Sequence, residues 1–228
     1  SNIGEILFGT ASPESEAAAA EMNAYFLQRI NHLRRNPNNH LLGQLVAIET
    51  EDGRLDDEEL LSFCRLLLIA GNETTTGLIT ASARIFHEAP QTLAQIKQRP
   101  ELSGAFVEEA LRYYSPFSAT VRRTTKDVEL AGQTIGVGEL VVPLIASANR
   151  DERVFDAPDT FVMERSPNPH LGMGFGIHFC LGAHLARLEG KIVVEQMAER
   201  YAQVVLANPE KAAIGDLGGP KELAVILG

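Results

Sequence analysis

Cysteine is scarce in this chain, two among 228 residues, so no disulfide framework can form and a reducing, cytoplasmic setting is expected. Long apolar runs are missing as well. The stretch "LLSFCRLLLIAG" is broken by Arg65 and lies inside a helical pattern, which predicts no membrane span. "SNIGEILFGT" is too short and too polar to read as a secretory signal. No block rich in lysine or arginine occurs, and the net charge of -10 argues against nucleic acid as a partner. There is no internal repeat and no low-complexity segment beyond the alanines at 17–20. What the chain does have is 45% hydrophobic residues, enough for a sizeable core.

Helix dominates the pattern. "SPESEAAAAEMNAYFLQRINHLRR" offers Ser12 as N-cap and Pro13 at the first helical position, and "NPNN" stops it. "HLLGQLVAIE" is a shorter helical piece ended by the turn signal "EDG". A long central helix is expected over about 56–88, with Asp56 and Glu59 forming a capping box and Pro90 beyond its far end. A further helix at "PQTLAQIKQRP" and one containing E-x-x-R at about 102–115 follow. The character then changes to alternating Val and Thr punctuated by glycine, a small antiparallel β region over about 120–142. An aperiodic meander covers 150–170, a glycine loop with cysteine 171–182, and a final long helix 183–201, before short strands at "QVVLA" and "ELAVIL". The fold class is mainly α with a minor antiparallel sheet, in a single domain spanning 1–228.

Three local features could carry chemistry. In "MGFGIHFCLGAHLAR", Cys180 lies among Gly174, Gly176 and Gly182 immediately before a helix. Glycine admits positive φ and close approach by something bulky, and a helix N-terminus stabilises the thiolate that binds metal. An inert buried cysteine fits the same residues, as does a zinc site using His178, Cys180, His184 and His170, although H-x-C-x-x-x-H matches no usual paired zinc signature. "AGNETTT" places Gly71, Glu73 and Thr74 inside the long helix, where glycine costs about 1 kcal/mol and threonine can bond back to the preceding turn. "EEALR" sets Glu109 and Arg112 at i and i+3 on one helical face; an exposed pair of this kind stabilises by only a few tenths of a kcal/mol. Cys64 sits in an apolar helical stretch and reads as core.

Taken in order, "AGNETT", "EEALR", "RRTTKDVELAG" and "GFGIHFCLGAHLAR" resemble the cytochrome P-450 family of haem-thiolate monooxygenases, in its soluble bacterial form, from about residue 20 to the C-terminus. The resemblance implies the C-terminal, haem-binding part of that fold. It makes Cys180 the proximal ligand of the iron of haem b, iron protoporphyrin IX, with Gly174, Gly176 and Gly182 giving the porphyrin room. A thiolate there pushes electron density onto the iron. His178 and Arg122 match positions that contact haem propionates. Glu109 and Arg112 match a buried ion pair, with Arg165 of "ERSPNPH" as third member. Glu73 and Thr74 match the acid and alcohol of the distal side, which support dioxygen and deliver protons, beside a groove opened by Gly71. The implied partners are a ferredoxin-type electron donor with its reductase and a small apolar substrate. Arg123, Arg187 and Lys191 could form a basic docking patch for the donor.

Two departures accompany the resemblance. Met173 stands seven residues before the cysteine, where the family usually has phenylalanine, so looser packing around the sulfur is expected. Family members are also much longer, and everything ahead of the long helix's neighbours is absent. The expectation is therefore a C-terminal fragment, consistent with an opening at Ser1. The alternative to a monooxygenase is an inactive, haem-free fragment that forms homo-oligomers through the face exposed by truncation.

Overall fold

The computed structural model describes residues 13–50, 53–209 and 223–228. Ser12, most of the "EDG" turn and the first residue of "ELAVIL" lie outside the described residues. The secondary-structure order is α1 (Pro13–Arg35), α2 (Leu41–Ala47), β1 (Glu49–Thr50), β2 (Gly53–Arg54) and α3 (Asp57–Glu88). Next come α4 (Gln91–Gln98), a 3-10 turn at Pro100–Leu102 and α5 (Ser103–Tyr113). The remainder is β3 (Arg122–Arg123), β4 (Val128–Leu130), β5 (Gln133–Ile135), β6 (Leu140–Val141), α6 (Ile145–Ala148), α7 (Ala183–Arg200), β7 (Val204–Leu206) and β8 (Val225–Leu227). Every helix expected from the sequence is present. The four-residue α6 is an addition, too short for any periodicity to reveal.

The chain packs as two compact units, residues 1–72 and 73–228, divided within α3. In the first unit, α1 and the start of α3 bury Ile30, Leu60 and Leu61, with Phe26, Leu27, Leu42 and Leu45 packed around them. The start of α3 carries the capping box: the Glu59 backbone N–H donates to Asp56 Oδ1 at 2.8 Å, and the Asp56 N–H donates to Glu59 Oε2 at 2.9 Å. Two helical N–H groups without intrahelical partners are thereby satisfied. Cys64 is buried and free, and burial raises its thiol pKa. The sequence reading of this residue as core holds.

In the second unit, the rest of α3 packs with α4, α5 and α7 around Phe86, Phe106, Val107 and Val194. Phe86 and Phe106 stack with centroids 4.9 Å apart, a favourable aromatic arrangement. Gly190 lets α7 lie close to its neighbours, since a Cβ there would fall 2.8 Å from Leu78 Cδ2 and 3.3 Å from Val107 Cγ2. The β region over 120–142 forms two separate antiparallel ladders, β3 with β6 and β4 with β5. The second closes over Ala131 and Gly132, both at positive φ, as a type I′ hairpin turn requires. Residues 150–170 contain neither helix nor strand, and β7 pairs antiparallel with β8.

Candidate functional site

The loop that leads into α7 is shaped from within. The Gly174 N–H donates to Leu171 O at 2.9 Å, the Phe179 N–H to Gly176 O at 3.0 Å and the Cys180 N–H to Met173 O at 2.8 Å. Gly174 and Gly176 adopt φ of 75° and 65°, the left-handed region that costs other residues energy. At Gly174 a Cβ would also stand 3.0 Å from His178 O, whereas at Gly176 and Gly182 it would meet nothing within 4 Å. Met173 is buried in the main core cluster. Cys180 is free and partly exposed, three residues ahead of α7.

Cys180 packs against the main core cluster, while the loop on either side of it exposes apolar side chains. Ile177 is fully exposed and Phe175 is 84% exposed, and Phe179 and Leu181 are exposed as well. Apolar side chains gathered on a surface in this way mark a binding face. A single soft thiol donor on an apolar face opened by glycine is the donor set that haem iron and its macrocycle take, so the residues present fit the group. The zinc alternative does not find its ligands. Among the described residues no three His, Cys, Asp or Glu side chains are grouped to hold a metal ion, and both His170 ring nitrogens are engaged, with Glu108 and the Gly172 N–H.

"EEALR" is buried. Glu109 and Arg112 have no exposed side-chain surface, and Arg112 Nε and Nη2 each donate to the Glu109 carboxylate at 2.8 Å. Arg165 Nε reaches the same carboxylate at 3.0 and 3.1 Å, the Val162 N–H at 2.9 Å and Asn168 Nδ2 at 3.2 Å. Arg112 then spends its remaining donors on the carbonyls of Asn149 (2.8 Å), Pro158 (2.7 Å) and Thr160 (3.0 Å). A segment without regular structure is thus held by side chains in place of a ladder.

A second carboxylate, which sequence reasoning passed over, sits one residue earlier. Glu108 accepts from Arg187 Nε at 2.7 Å and Nη2 at 2.9 Å and lies 3.1 Å from His170 Nε2. Burial alone would raise its pKa, but the hydrogen bonds from His170 and Arg187 and the charge of Arg187 outweigh that and bring it down to about 2. Arg187 is correspondingly raised, first by its hydrogen bond to Glu108 and least by its attraction to Cys180. The doubled acid in "EEALR" was the available signal. Of the basic residues on this side, Arg187 binds Glu108, Lys191 Nζ lies 3.8 Å from Glu195 Oε1 and Arg123 donates to Gly138 O.

The other candidates stand apart from these networks. Gly71, Glu73 and Thr74 occupy α3, Gly71 exposed and the other two partly buried. Their neighbour Thr75 donates to Glu189 Oε2 at 3.3 Å, linking α3 to α7. Arg122 on β3 is exposed and donates to Thr120 Oγ1 and Val121 O, both at 2.9 Å. His178 lies exposed in a 3-10 turn, Gly176–His178.

The family model "Cytochrome P-450" matches residues 12–213, and the chain is a member of that family. It is 40% identical over 200 residues to the biotin biosynthesis cytochrome P-450 of Bacillus subtilis, covering 88% of this chain and 50% of the relative. Among solved structures, CYP109E1 of Bacillus megaterium in complex with corticosterone superposes with a TM-score of 0.85 at 40% identity, over 93% of this chain and 58% of that one. P-450BioI in complex with an acyl carrier protein bearing hexadec-9Z-enoic acid gives 0.88 at 38% identity, over 96% and 58%. The chain spans about half the length of the curated relatives it matches. Among the described residues no helix is long and apolar enough to cross a membrane.

Proposed function

We propose that this chain is the haem-binding portion of a monooxygenase that inserts one oxygen atom from dioxygen into an apolar organic substrate. The observation that carries the reading is the partly exposed Cys180 in a glycine-shaped loop that also exposes Phe175, Ile177, Phe179 and Leu181. When bound, haem b supplies the one-electron and oxygen chemistry. Cys180 holds the iron, and the apolar loop side chains keep water from the sulfur. Arg122 and His178 offer donors to the two propionates. Glu73 and Thr74, consecutive on α3 and partly buried, hold and pass protons toward the distal side, while Gly71 keeps that stretch of helix free of side chain. Electrons come from a ferredoxin-type partner with its reductase. An apolar substrate class is supported by the relatives: one is solved with corticosterone, another with a hexadecenoic acid chain on its carrier protein.

A second reading rests on the same apolar face and on the chain's span of about half its relatives: a folded, haem-free polypeptide that self-associates through exposed apolar surface. One titration separates the two. Purified chain is mixed with haem, reduced under carbon monoxide and read by absorption. A Soret band characteristic of thiolate ligation, lost in Cys180→Ala and kept in Cys64→Ala, supports the first reading. No band, or one characteristic of histidine ligation, overturns it.

A further inference from the structure

We propose that Glu108, His170 and Arg187 form a clamp that fixes the cysteine loop in its ligating shape before haem arrives, so that Glu108 is a positioning residue for Cys180. The inference rests on Cys180 being the iron ligand. Its geometric basis is that one carboxylate on α5 grips both flanks of the loop. His170 immediately precedes residues 171–182, and Arg187 lies in the opening turns of α7 immediately after them. Arg187 binds Glu108 through both arms of its guanidinium fork, at 2.7 and 2.9 Å, the geometry that restricts orientation as well as distance.

The histidine side is equally defined. The Gly172 N–H donates to His170 Nδ1 at 3.1 Å, so Nδ1 carries the lone pair and Nε2 carries the proton it donates to Glu108 at 3.1 Å. One imidazole therefore joins the loop backbone to α5. Between these ends the Leu171 N–H donates to Asn149 Oδ1 at 2.7 Å and Met173 and Cys180 pack with the main core cluster, but most of the other large side chains are exposed, so the loop's shape depends strongly on where its ends are fixed. Fixing both ends removes conformations that the loop would otherwise have to give up on binding.

Hydrogen exchange on the haem-free full chain tests the clamp. In Glu108→Gln, the amides of Gly174, Phe179 and Cys180 should exchange about tenfold faster, with Phe106 and Val107 in α5 unchanged. Arg187→Lys keeps the charge but loses the fork, and should give a smaller acceleration of the same amides. Glu164→Gln, which removes an exposed partner of Arg99, should leave the loop at wild-type rates. Unchanged loop rates in Glu108→Gln, or equal acceleration of loop and α5 amides, would overturn the proposal. The haem titration of Cys180→Ala tests the ligand assignment separately: a persistent thiolate band removes that assignment while the exchange data still report on the clamp, and an unresponsive loop beside an intact thiolate band removes the clamp alone.

Discussion

Replacing Arg112 by leucine is the sharpest test of what holds the meander. The side chain is fully buried and makes two hydrogen bonds to Glu109 and one each to the carbonyls of Asn149, Pro158 and Thr160. Leucine restores much of the volume and none of the donors. Glu109 keeps Arg165, Asn168 and the Val162 N–H, and Thr160 O keeps Arg165 Nη2 at 3.1 Å. The carbonyls of Asn149 and Pro158 lose the guanidinium donor that served them. Breaking one partner from a buried ion pair costs about 3–5 kcal/mol, and each carbonyl left dry costs about 1–3 kcal/mol within that total. For a chain of this size the loss corresponds to a fall in Tm of about 6–20 °C. Arg112→Lys should recover little, because one ammonium cannot reach all these acceptors at the angles of a planar fork. Arg99→Gln sets the scale for a surface pair: its bond to Glu164 is 3.0 Å long but half-exposed at both ends, and its loss should cost less than about 1 kcal/mol. The assay is urea denaturation followed by far-UV circular dichroism. A destabilisation of Arg112→Leu below about 1 kcal/mol at unchanged m-value would refute the reasoning.

Four further outcomes are expected. Gly174→Ala places a Cβ at φ 75° and 3.0 Å from the His178 carbonyl; it should lower haem affinity in the absorption titration with only a small change in denaturation midpoint, because the strain is confined to the loop. Gly190→Leu should destabilise by at least about 1–3 kcal/mol through overpacking against Leu78 and Val107, read by the same denaturation. Asp56→Ala removes the cap bond of 2.8 Å and should cost about 1 kcal/mol, with helical circular dichroism retained. Glu108 ionises at about 2 in the folded chain, below its ordinary 4.5, so its contribution is complete above pH 4.5 and lost as pH falls toward 2. The excess protection of the Gly174 and Cys180 amides in wild type over Glu108→Gln, measured by hydrogen exchange from pH 6 to pH 3, should therefore narrow on acidification; an excess that widens would contradict the assignment.

The sequence makes the helices legible because their signals are local. Asp56 and Glu59 announce the start of α3 three residues apart, and the structure closes both bonds of the box. The cysteine loop is legible for the same reason, since glycines at 174 and 176 report positive φ directly. Burial of Glu109 and Arg112 is not local: their spacing describes an exposed pair as well as a buried one, and only the return of residues 150–170 over α5 removes water from them. The two separate β ladders escape the pattern because strands of two or three residues are too short for alternation to specify pairing. Glu108 escapes for a related reason. Its partners lie 62 and 79 residues away, and nothing in "EEALR" says which of two adjacent acids faces which segment.

That adjacency explains why the helix carries two acids in sequence. Neighbouring residues on a helix point about 100° apart, so Glu108 and Glu109 address different surroundings from one turn of α5. Glu109 faces inward, where burial makes every unmet donor or acceptor expensive, and it takes Arg112, Arg165, Asn168 and the Val162 N–H. Glu108 is half-buried and takes the flanks of the cysteine loop. Loss of Glu109 should therefore appear as global destabilisation, and loss of Glu108 as local loosening around Cys180. The two neighbouring substitutions, made by the same isosteric change to glutamine, separate the stability of the fold from the shape of its site.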